Sequence, residues 1–445
     1  MNMKNRIEET LREQIEDLKA LVRIPSVSRG DPAEPGKPFG KTVYEALQAT
    51  LQIARKLGLS AWDVDGYCGV VEYGEGEECL GILAHLDVVP EGEGWSVPPY
   101  SATEKDGRII GRGTLDDKSP ALSAIYALAA IKDCGYPMKR RVRVILGCDE
   151  EIGSLGVEHY LKVEGQPTLA FTPDAEYPVV NSEMGIMHTT YEKKYESALR
   201  IDCGTAANVI PGVIRATLPC KAVPVAAPEG LTATYDENRI TVEGRGGHAS
   251  MPEFAKNALL ALIGILTKQP LPKEDLETVN ALHALWGYDL HGETIGVDVT
   301  DESGRTTYSP DVIRFNENGV RFIADCRHPF TAKAEDLLKT WDAAYGKAGF
   351  VRTDTVIKPG HFIPADSELV STLMSIYNEL NHSDSKPLSM GGGTYAREME
   401  NAVAFGIVRE GEESMCHMPD ESISIEDIRF NTMCMAEAIR RLAAK

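Results

Sequence analysis

The sequence predicts an α/β fold with a mainly parallel sheet, interrupted by an inserted α+β domain. Two short runs rich in Val, Ile and Leu, at 79–89 and 141–148, have the composition of strands that are covered on both faces. The Ala-rich segment 120–135 between them begins with Pro120 and ends at Gly135, which is typical of a helix. The order strand, helix, strand is that of a βαβ crossover, which joins parallel neighbours in a sheet.

The segments before and after this crossover extend the same domain. Apolar residues spaced three and four positions apart predict helices at 5–22 and 42–58. A helical pattern near 366–380 and a strand-like run at 401–408 resemble this first region again. We therefore expect the opening α/β domain to resume late in the chain.

The middle of the chain has a different pattern. After about residue 186 the segments alternate between apolar and polar residues, as half-buried strands do, and a further strand is predicted at 320–330. Helical patterns occur at 255–268 and 334–348. The predicted organisation is an α/β domain of residues 1–186 and 363–445 with an inserted α+β domain of residues 187–362.

Composition and charge exclude several classes of protein. The 445 residues are 43% hydrophobic and 25% charged, enough to bury a large core. Lys and Arg number 46 against 67 Asp and Glu, and the net charge of −21 would repel phosphate backbones and anionic lipid, so neither nucleic acid nor a membrane is expected as a partner. No apolar run approaches the roughly 18 residues of a membrane span, and the charged start lacks the pattern of a signal peptide. A cytoplasmic location is expected.

The first candidate site residues lie at the end of the first predicted strand. His85 and Asp87 are two positions apart, so they point to the same side, where the carboxylate can brace the imidazole as a metal ligand. The alternative is an ordinary polar strand end with a solvated aspartate. The strand end is also where open α/β sheets place their ligands.

Adjacent carboxylates, Asp116 and Asp117, precede the predicted helix in a Gly-rich loop. One of them is expected to cap the helix N-terminus, where aspartate is favoured. Two neighbouring acids repel each other, however, and a divalent metal would relieve that repulsion.

Further acids and a histidine follow later strands. Glu150 and Glu151 come after the second strand, where they form either a solvated acidic turn or a metal ligand beside a group that takes a proton from bound water. Asp174 follows another strand, and His417 lies in a loop near the end of the chain. Each of these two could instead be an ordinary turn or loop residue.

Eight segments taken together form a recognisable series. In chain order they are HLD, GRGTLDDKSPAL, CDEEIGS, TPDAEYP, GRGGHASMP, DCRHP, GGGTYARE and CHMPDE. Their order resembles that in the M20 metallopeptidases, the family that includes aminoacylase and succinyl-diaminopimelate desuccinylase, and especially that in its PepV-like bacterial dipeptidase branch. The resemblance runs from about residue 10 to the C-terminus.

The resemblance implies a centre for two divalent metal ions per chain. Asp116 would bridge the ions, with His85 and Asp174 completing one ligand set. Glu151 and His417 would complete the other. Two imidazoles and three carboxylates without a thiolate suit Zn²⁺, Mn²⁺ or Co²⁺.

The resemblance also assigns roles to the neighbours of these ligands. Asp87 would orient His85, and Glu150 would be the general base and acid. The peptide bond between Asp116 and Asp117 is typically cis in the family. Family members with aspartate at the position of Asp174 tend to be dipeptidases or aminopeptidases.

Substrate contacts are implied for the inserted domain and for a glycine run. His248 would polarise the scissile carbonyl, while Asn208 and Arg327 would contact the substrate, Arg327 by bidentate pairing with a terminal carboxylate. A surface histidine and a structural salt bridge are the alternatives. The run that begins at Gly391 could hold the same carboxylate through backbone N–H groups or be a flexible turn; its substrate-binding members are Gly392, Gly393 and Thr394.

The implied function is metal-dependent hydrolysis of small peptide substrates. The resemblance implies that residues 1–186 and 363–445 are the catalytic domain and residues 187–362 the lid. Dipeptides with a free N-terminus would be cleaved by a water that bridges the two ions, with the lid closing over the substrate. An N-acyl amino acid deacylase of the same family is the alternative enzyme, and an inactive metal-binding homologue is the alternative outside enzymes. The long insertion resembles the branch whose doubled lid substitutes for a partner subunit, which favours a monomer over a homodimer.

Overall fold

The computed structural model describes residues 2–29 and 34–445. These residues form two units, each with its own hydrophobic core. The first unit consists of Met1–Asn181, Ile363–Leu388 and Gly393–Lys445, and the second of Ser182–Phe362 and Ser389–Gly392. The assignment of residues 187–362 as a lid remains a prediction.

The sheet of the first unit confirms the predicted α/β class. The pairings among its four central strands are parallel, whereas the strands at one edge pair antiparallel. In the order in which they pair, the strands are Ser60–Val64, Cys68–Tyr73, Arg141–Gly147, Cys79–His85, Leu169–Thr172 and Ala402–Ala404.

Both faces of the central strands are buried, which explains their unbroken apolar runs. Ile82 and Val144 pack into the main core with the helices on one face. Leu83 and Ile145, each one position further along, pack into a second cluster on the opposite face with Tyr160. Since successive side chains of a strand alternate between faces, a strand covered on both sides needs apolar residues throughout.

The predicted βαβ crossover is confirmed. Helix Lys118–Asp133 connects strands Cys79–His85 and Arg141–Gly147, which pair in parallel. Its Ala-rich sequence is buried on nearly all sides, because small side chains let it lie close to the sheet and to helix Ile425–Ala443. The other helices of this unit are Met3–Val22, Lys41–Lys56, Leu155–Glu164 and Glu368–Asn381.

Smaller elements complete the first unit. Ser422–Ser424, Arg108–Ile110 and Thr103–Lys105 form a three-stranded antiparallel sheet. Ala175–Glu176 pairs in parallel with Ile407–Val408.

Strand Val180–Glu183 continues from the first unit into the second. Within the first unit, Asn181 accepts the backbone N–H of Ile363 and donates from its side chain to the Ile363 carbonyl. Within the second unit, Glu183 pairs with His361. The inserted segment therefore begins and ends at neighbouring positions.

The second unit has the α+β character predicted for it. Its main sheet is antiparallel throughout, and its core includes Trp286, Trp341 and Tyr345. Helices Ala258–Leu266, Lys273–Trp286 and Ala334–Lys347 pack here. The strands, in pairing order, are Thr232–Asp236, Arg239–Glu243, Val213–Thr217, Arg200–Cys203, Thr307–Asn316, Gly319–His328, Gly185–Lys194 and Val351–Lys358.

Of the helices formed by residues 2–29 and 34–445, none combines the length and the apolar character that crossing a bilayer requires.

Candidate metal centre

Three neighbouring parallel strands direct candidate ligands to one edge of the sheet. His85 is the last residue of its strand, Glu151 follows the strand that ends at Gly147, and Asp174 follows the strand that ends at Thr172. Parallel strands end at the same edge, so residues far apart in sequence meet there. The fold thus explains why these side chains converge.

Asp116 lies in the loop before helix Lys118–Asp133 and contributes one carboxylate oxygen to each of two groups. Its Oδ1 lies 2.8 Å from His85 Nε2, which is 3.6 Å from Asp174 Oδ2. Its Oδ2 lies 3.0 Å from His417 Nε2, which is 3.1 Å from Glu151 Oε2. The structure therefore brings all five sequence-predicted ligands together, with Asp116 shared between two sets of three.

The geometry of both sets fits a divalent metal ion. Ligand atoms at about 2.0–2.1 Å from a tetrahedral ion lie about 3.4 Å from one another, close to the distances observed here. Nε2 of His85 is buried and, among the described residues, has no partner in hydrogen-bond geometry, although Asp116 is close. His85 Nε2 therefore faces two carboxylates without a well-aligned hydrogen bond, as suits a nitrogen that binds a metal ion.

Charge in the cluster is poorly compensated. Burial raises the pKa of Asp174 well above its usual value, and the neighbouring Asp116 adds to this effect. Contacts with Asp116 and Glu151 raise the pKa of His417 to about 10, against the opposing effect of burial. Burial favours neutral His85, but contacts with Asp116 and Asp87 outweigh it and its pKa is raised well above normal. The site holds an excess of negative charge that attracts cations.

Asp87 contacts His85 mainly through its backbone. His85 Nδ1 lies 3.0 Å from the Asp87 carbonyl oxygen and 3.5 Å from the carboxylate. The carboxylate instead accepts the backbone N–H groups of Glu150 and Glu151, at 3.1 and 3.2 Å. Asp87 thereby ties the imidazole to the loop that carries the two glutamates.

The capping role expected for one of the two adjacent aspartates is wrong. Asp117 occupies the N-cap position of helix Lys118–Asp133, but its side chain makes no capping hydrogen bond. Its carboxylate accepts the backbone N–H of His85 at 2.9 Å instead. The peptide bond between Asp116 and Asp117 is cis, as the resemblance implied.

Glu150 lies beside the ligand cluster and is not a member of either set. Burial raises its pKa to about 8, and the charges of Glu151, Asp116 and Asp87 act in the same direction. A carboxylate with a raised pKa next to a metal site is suited to accept and return a proton near neutral pH.

Sequence reasoning missed several residues that support the ligand loops. Asp149 accepts the N–H groups of Leu155 and Gly156 at 2.8 and 2.9 Å, which fixes the turn after Glu151. Arg112 and Glu421 form a buried ion pair between the loops of Asp116 and His417. Both pair members lie inside the quoted segments GRGTLDDKSPAL and CHMPDE, but local sequence does not show that they meet.

The predicted substrate contacts of the inserted domain lie in the second unit. His248 Nδ1 lies 2.7 Å from Ser250 Oγ, and His248 Nε2 lies 3.4 Å from Asn208 Nδ2. The pKa of His248 is lowered, first by partial burial and then by the charge of Arg327. Histidine, asparagine and arginine donors are thus grouped within one unit.

Arg327 is held in a fixed orientation. Its Nε and Nη2 donate to both oxygens of buried Asp325, and its Nη1 donates to the Gly391 carbonyl at 2.8 Å. Asp325 is also 2.8 Å from His188 Nε2. Burial opposes ionisation of Asp325, but His188 and Arg327 lower its pKa below the usual value.

The glycine run is divided between the units. Gly391 and Gly392 belong to the second unit, while Gly393 and Thr394 belong to the first. A Cβ atom at Gly391 would lie 2.6 Å from Ser250 Cβ, so this position has no room for a side chain. The Thr394 hydroxyl accepts the backbone N–H of Ala396 at 3.1 Å and caps the short helix Tyr395–Glu398.

Comparisons with known proteins agree with this architecture. Residues 81–441 match the model of the peptidase family M20/M25/M40. The protein YtjP of Bacillus subtilis (strain 168) is 33% identical over 96% of this chain and 97% of its own length. Beta-Ala-Xaa dipeptidase of Lactobacillus delbrueckii subsp. lactis is 30% identical over 96% of this chain and 95% of its own.

Solved structures show the same fold at low sequence identity. Aminopeptidase PepT from Bacillus cereus superposes with a TM-score of 0.60 at 14% identity, covering 97% of this chain and 98% of that one. The dipeptidase Dug1p from Saccharomyces cerevisiae gives 0.58 at 15% identity, covering 99% and 97%. From the family match and the full-length relatives, the chain belongs to the peptidase family M20/M25/M40.

Proposed function

We propose that this protein is a dinuclear metallo-dipeptidase that cleaves dipeptides with a free N-terminus. The observation that carries the proposal is the position of Asp116, whose two oxygens face two separate histidine and carboxylate sets. The resemblance to Beta-Ala-Xaa dipeptidase over nearly the whole chain supports a dipeptide substrate.

His85, Asp116 and Asp174 would hold one ion, and Asp116, Glu151 and His417 the other. When bound, such ions polarise a carbonyl oxygen and lower the pKa of water. Zn²⁺ or Mn²⁺, and also Co²⁺, suit this mixture of imidazole and carboxylate ligands. The protein supplies the buried surroundings that keep the carboxylates in place.

Glu150 would move the proton during hydrolysis. Its carboxylate takes a proton from the attacking water and returns it to the leaving amine; its place beside both ligand sets, without belonging to either, supports this role. Asp87 fixes the start of this loop by accepting the Glu150 N–H.

The second unit would bind the substrate. Arg327 would pair with its terminal carboxylate, and His248 and Asn208 would donate hydrogen bonds to the scissile carbonyl and the peptide. Because Asp325 already holds Arg327 in one orientation, little side-chain entropy is lost on binding. The terminal carboxylate of the substrate would also be bound by backbone N–H groups of the glycine run, at Gly392, Gly393 and Thr394.

We further propose a cytoplasmic monomer without nucleic-acid or membrane partners. The net charge of −21 supports the exclusion of both polyanionic partners. The mass in solution, measured by light scattering, tests the oligomeric state.

The decisive experiment compares dipeptides with their N-acetylated forms. Chelator-stripped protein is supplied with Zn²⁺, Mn²⁺ or Co²⁺ one at a time and tested on a panel of unblocked dipeptides. We expect metal-dependent cleavage that disappears on N-acetylation, and titration with metal should show two ions per chain. Preferred cleavage of the acetylated forms would establish the deacylase instead, and metal binding without any cleavage would indicate an inactive homologue.

A further inference from the structure

The five candidate ligands are fixed to the fold in two different ways. His85, Glu151 and Asp174 sit at or just beyond the ends of sheet strands, so the sheet sets their positions. Asp116 and His417 lie in loops about three hundred residues apart in the sequence, and the His417 side chain is half exposed. Pairing of Ser422–Ser424 with Arg108–Ile110 brings the bases of these two loops together, but both ligands lie several residues beyond that pairing, so further contacts have to set the distance between them.

The Glu421 carboxylate holds the loop that carries Asp116 by accepting backbone N–H groups of that loop. Its Oε1 accepts the N–H of Leu115 at 2.8 Å and the N–H of Asp116 at 3.2 Å. Its own carbonyl oxygen accepts the N–H of Gly111 at 2.8 Å. The peptide units around the shared ligand are therefore oriented by one carboxylate, which is fully buried.

Arg112 connects that carboxylate to the loop of His417. Its Nη1 donates to Glu421 Oε2 at 2.6 Å, and its Nη2 donates to the His417 carbonyl at 3.2 Å. Nη2 also donates to the Glu91 carbonyl at 3.2 Å, and the guanidinium lies 5.2 Å from the centre of the Trp95 ring. The guanidinium reaches these acceptors from two separate nitrogens in one rigid plane, whereas lysine would have to donate from a single nitrogen.

We propose that the buried Arg112–Glu421 pair is a positioning brace that sets the separation of Asp116 and His417 before any metal binds. Neither residue touches the ions or the substrate in this role. A buried pair of this kind costs desolvation energy that hydrophobic residues would avoid, so its value lies in specifying geometry. The inference rests on the metal site proposed above.

Metal affinity in conservative variants tests the brace. R112K keeps the positive charge but loses the two guanidinium nitrogens that donate to separate partners. E421Q keeps the shape of the side chain but replaces the carboxylate that accepts from Arg112 with a neutral amide. Each should weaken Zn²⁺ binding to stripped protein by about tenfold or more, measured by competition with a chromophoric chelator, as expected for groups that orient ligands.

The chain offers a closely matched control pair in the same unit. Arg143 donates to Glu72 at 2.6 Å, is 8% exposed, and its guanidinium lies 5.5 Å from the centre of the Trp62 ring. R143K and E72Q should alter thermal stability without changing Zn²⁺ affinity. If R112K and E421Q bind Zn²⁺ as tightly as the wild type, or if the control pair weakens binding equally, the brace is refuted.

A measurement on the wild-type protein covers the case in which the variants do not fold. Without metal, the backbone amides of Leu115 and Asp116 should still be protected from hydrogen exchange, resolved to single residues by fragmentation mass spectrometry. Rapid exchange of both amides in the stripped protein would overturn the proposal. Wild-type protein that binds Zn²⁺ but cleaves no dipeptide would overturn the proposed function and leave the brace intact, whereas failure to bind Zn²⁺ would overturn both.

Discussion

Buried charge is balanced differently in the two units. At the ligand cluster of the first unit, burial opposes ionisation of Asp116 but His417 and His85 lower its pKa, whereas the pKa of Asp174 is raised well above normal by burial and by Asp116. In the second unit, Asp325 is more deeply buried, yet its pKa is lowered because His188 and Arg327 contact it. The ligand cluster of the first unit therefore has too few positive groups to balance its carboxylates. In the second unit, His188 and Arg327 provide the positive charge that balances Asp325.

This difference separates the two tasks of the proposed enzyme. A cluster with uncompensated carboxylates gains stability by recruiting an external cation. A cluster whose charges are already paired gains nothing from a metal, but it presents Arg327 in a defined orientation. Substitutions in the two units should therefore affect different measured quantities.

The largest effect is expected for Asp116→Asn, since this carboxylate is shared by both ligand sets. Activity should fall to background, and metal affinity should fall by more than the roughly 10–100-fold typical of groups outside the ligand set. Metal content after dialysis, measured by atomic emission, checks this. Asp336→Asn, at an exposed helical residue of the second unit, should retain the full metal content.

Glu150→Ala should affect catalysis without affecting the ligands. We expect kcat to fall by at least ~10²-fold, because the group that moves the proton is lost, while two ions remain bound. Steady-state kinetics and metal analysis of the same preparation test both statements. An unchanged kcat would remove Glu150 from the mechanism, and loss of metal would make it a ligand.

His248→Ala should also slow turnover while leaving the metal content unchanged. Loss of one donor to the developing oxyanion typically costs about 10²-fold in kcat. The exposed His382 serves as a control, and His382→Asn should have wild-type kinetics. Release of metal from the His248 variant would contradict the division of tasks between the units.

Asp325→Asn should act mainly on substrate affinity. Without the carboxylate, Arg327 loses the partner that fixes its orientation, and we expect KM for dipeptides to rise by about tenfold, or ~1.4 kcal/mol. A comparable loss in kcat with an unchanged KM would show that Arg327 acts in the transition state instead.

The smallest expected effect is a shift in the pKa of His248. Burial lowers this pKa first and the positive charge of Arg327 lowers it further, so Arg327→Met should raise it. NMR titration of the imidazole signal, assigned with His248→Gln, measures the shift. A pKa that stays the same or falls would show that the charge of Arg327 does not lower it.

Local sequence was sufficient for the parts of the site that the sheet positions. The strands ending near His85 and Gly147 were recognisable from their apolar runs, and parallel strands necessarily end at one edge. The boundaries of helix Lys118–Asp133 followed from its Pro and Gly signals to within two residues.

Contacts between distant loops could not be predicted in the same way. Arg112 and Glu421 have no shared periodicity, and only the folded chain shows that they pair. Helix Leu155–Glu164 was missed because its N-terminal amides are satisfied by Asp149, six positions before Leu155, rather than by a residue at the N-cap. The cap expected at one of the two adjacent aspartates is absent for a related reason, since the carboxylate of Asp117 accepts the His85 backbone N–H instead.

The pairing of the ends of the inserted segment has a consequence for the history and redesign of the chain. Asn181 and Ile363 are already hydrogen-bonded to each other, so a short splice could join them without a long loop. A segment that leaves and re-enters a host at adjacent points can be lengthened, duplicated or exchanged with little disturbance of the host. Such a splice would, however, leave Gly391 and Gly392 in the host without the unit to which they belong. Any exchange of the inserted segment between relatives therefore has to carry this short second piece with it.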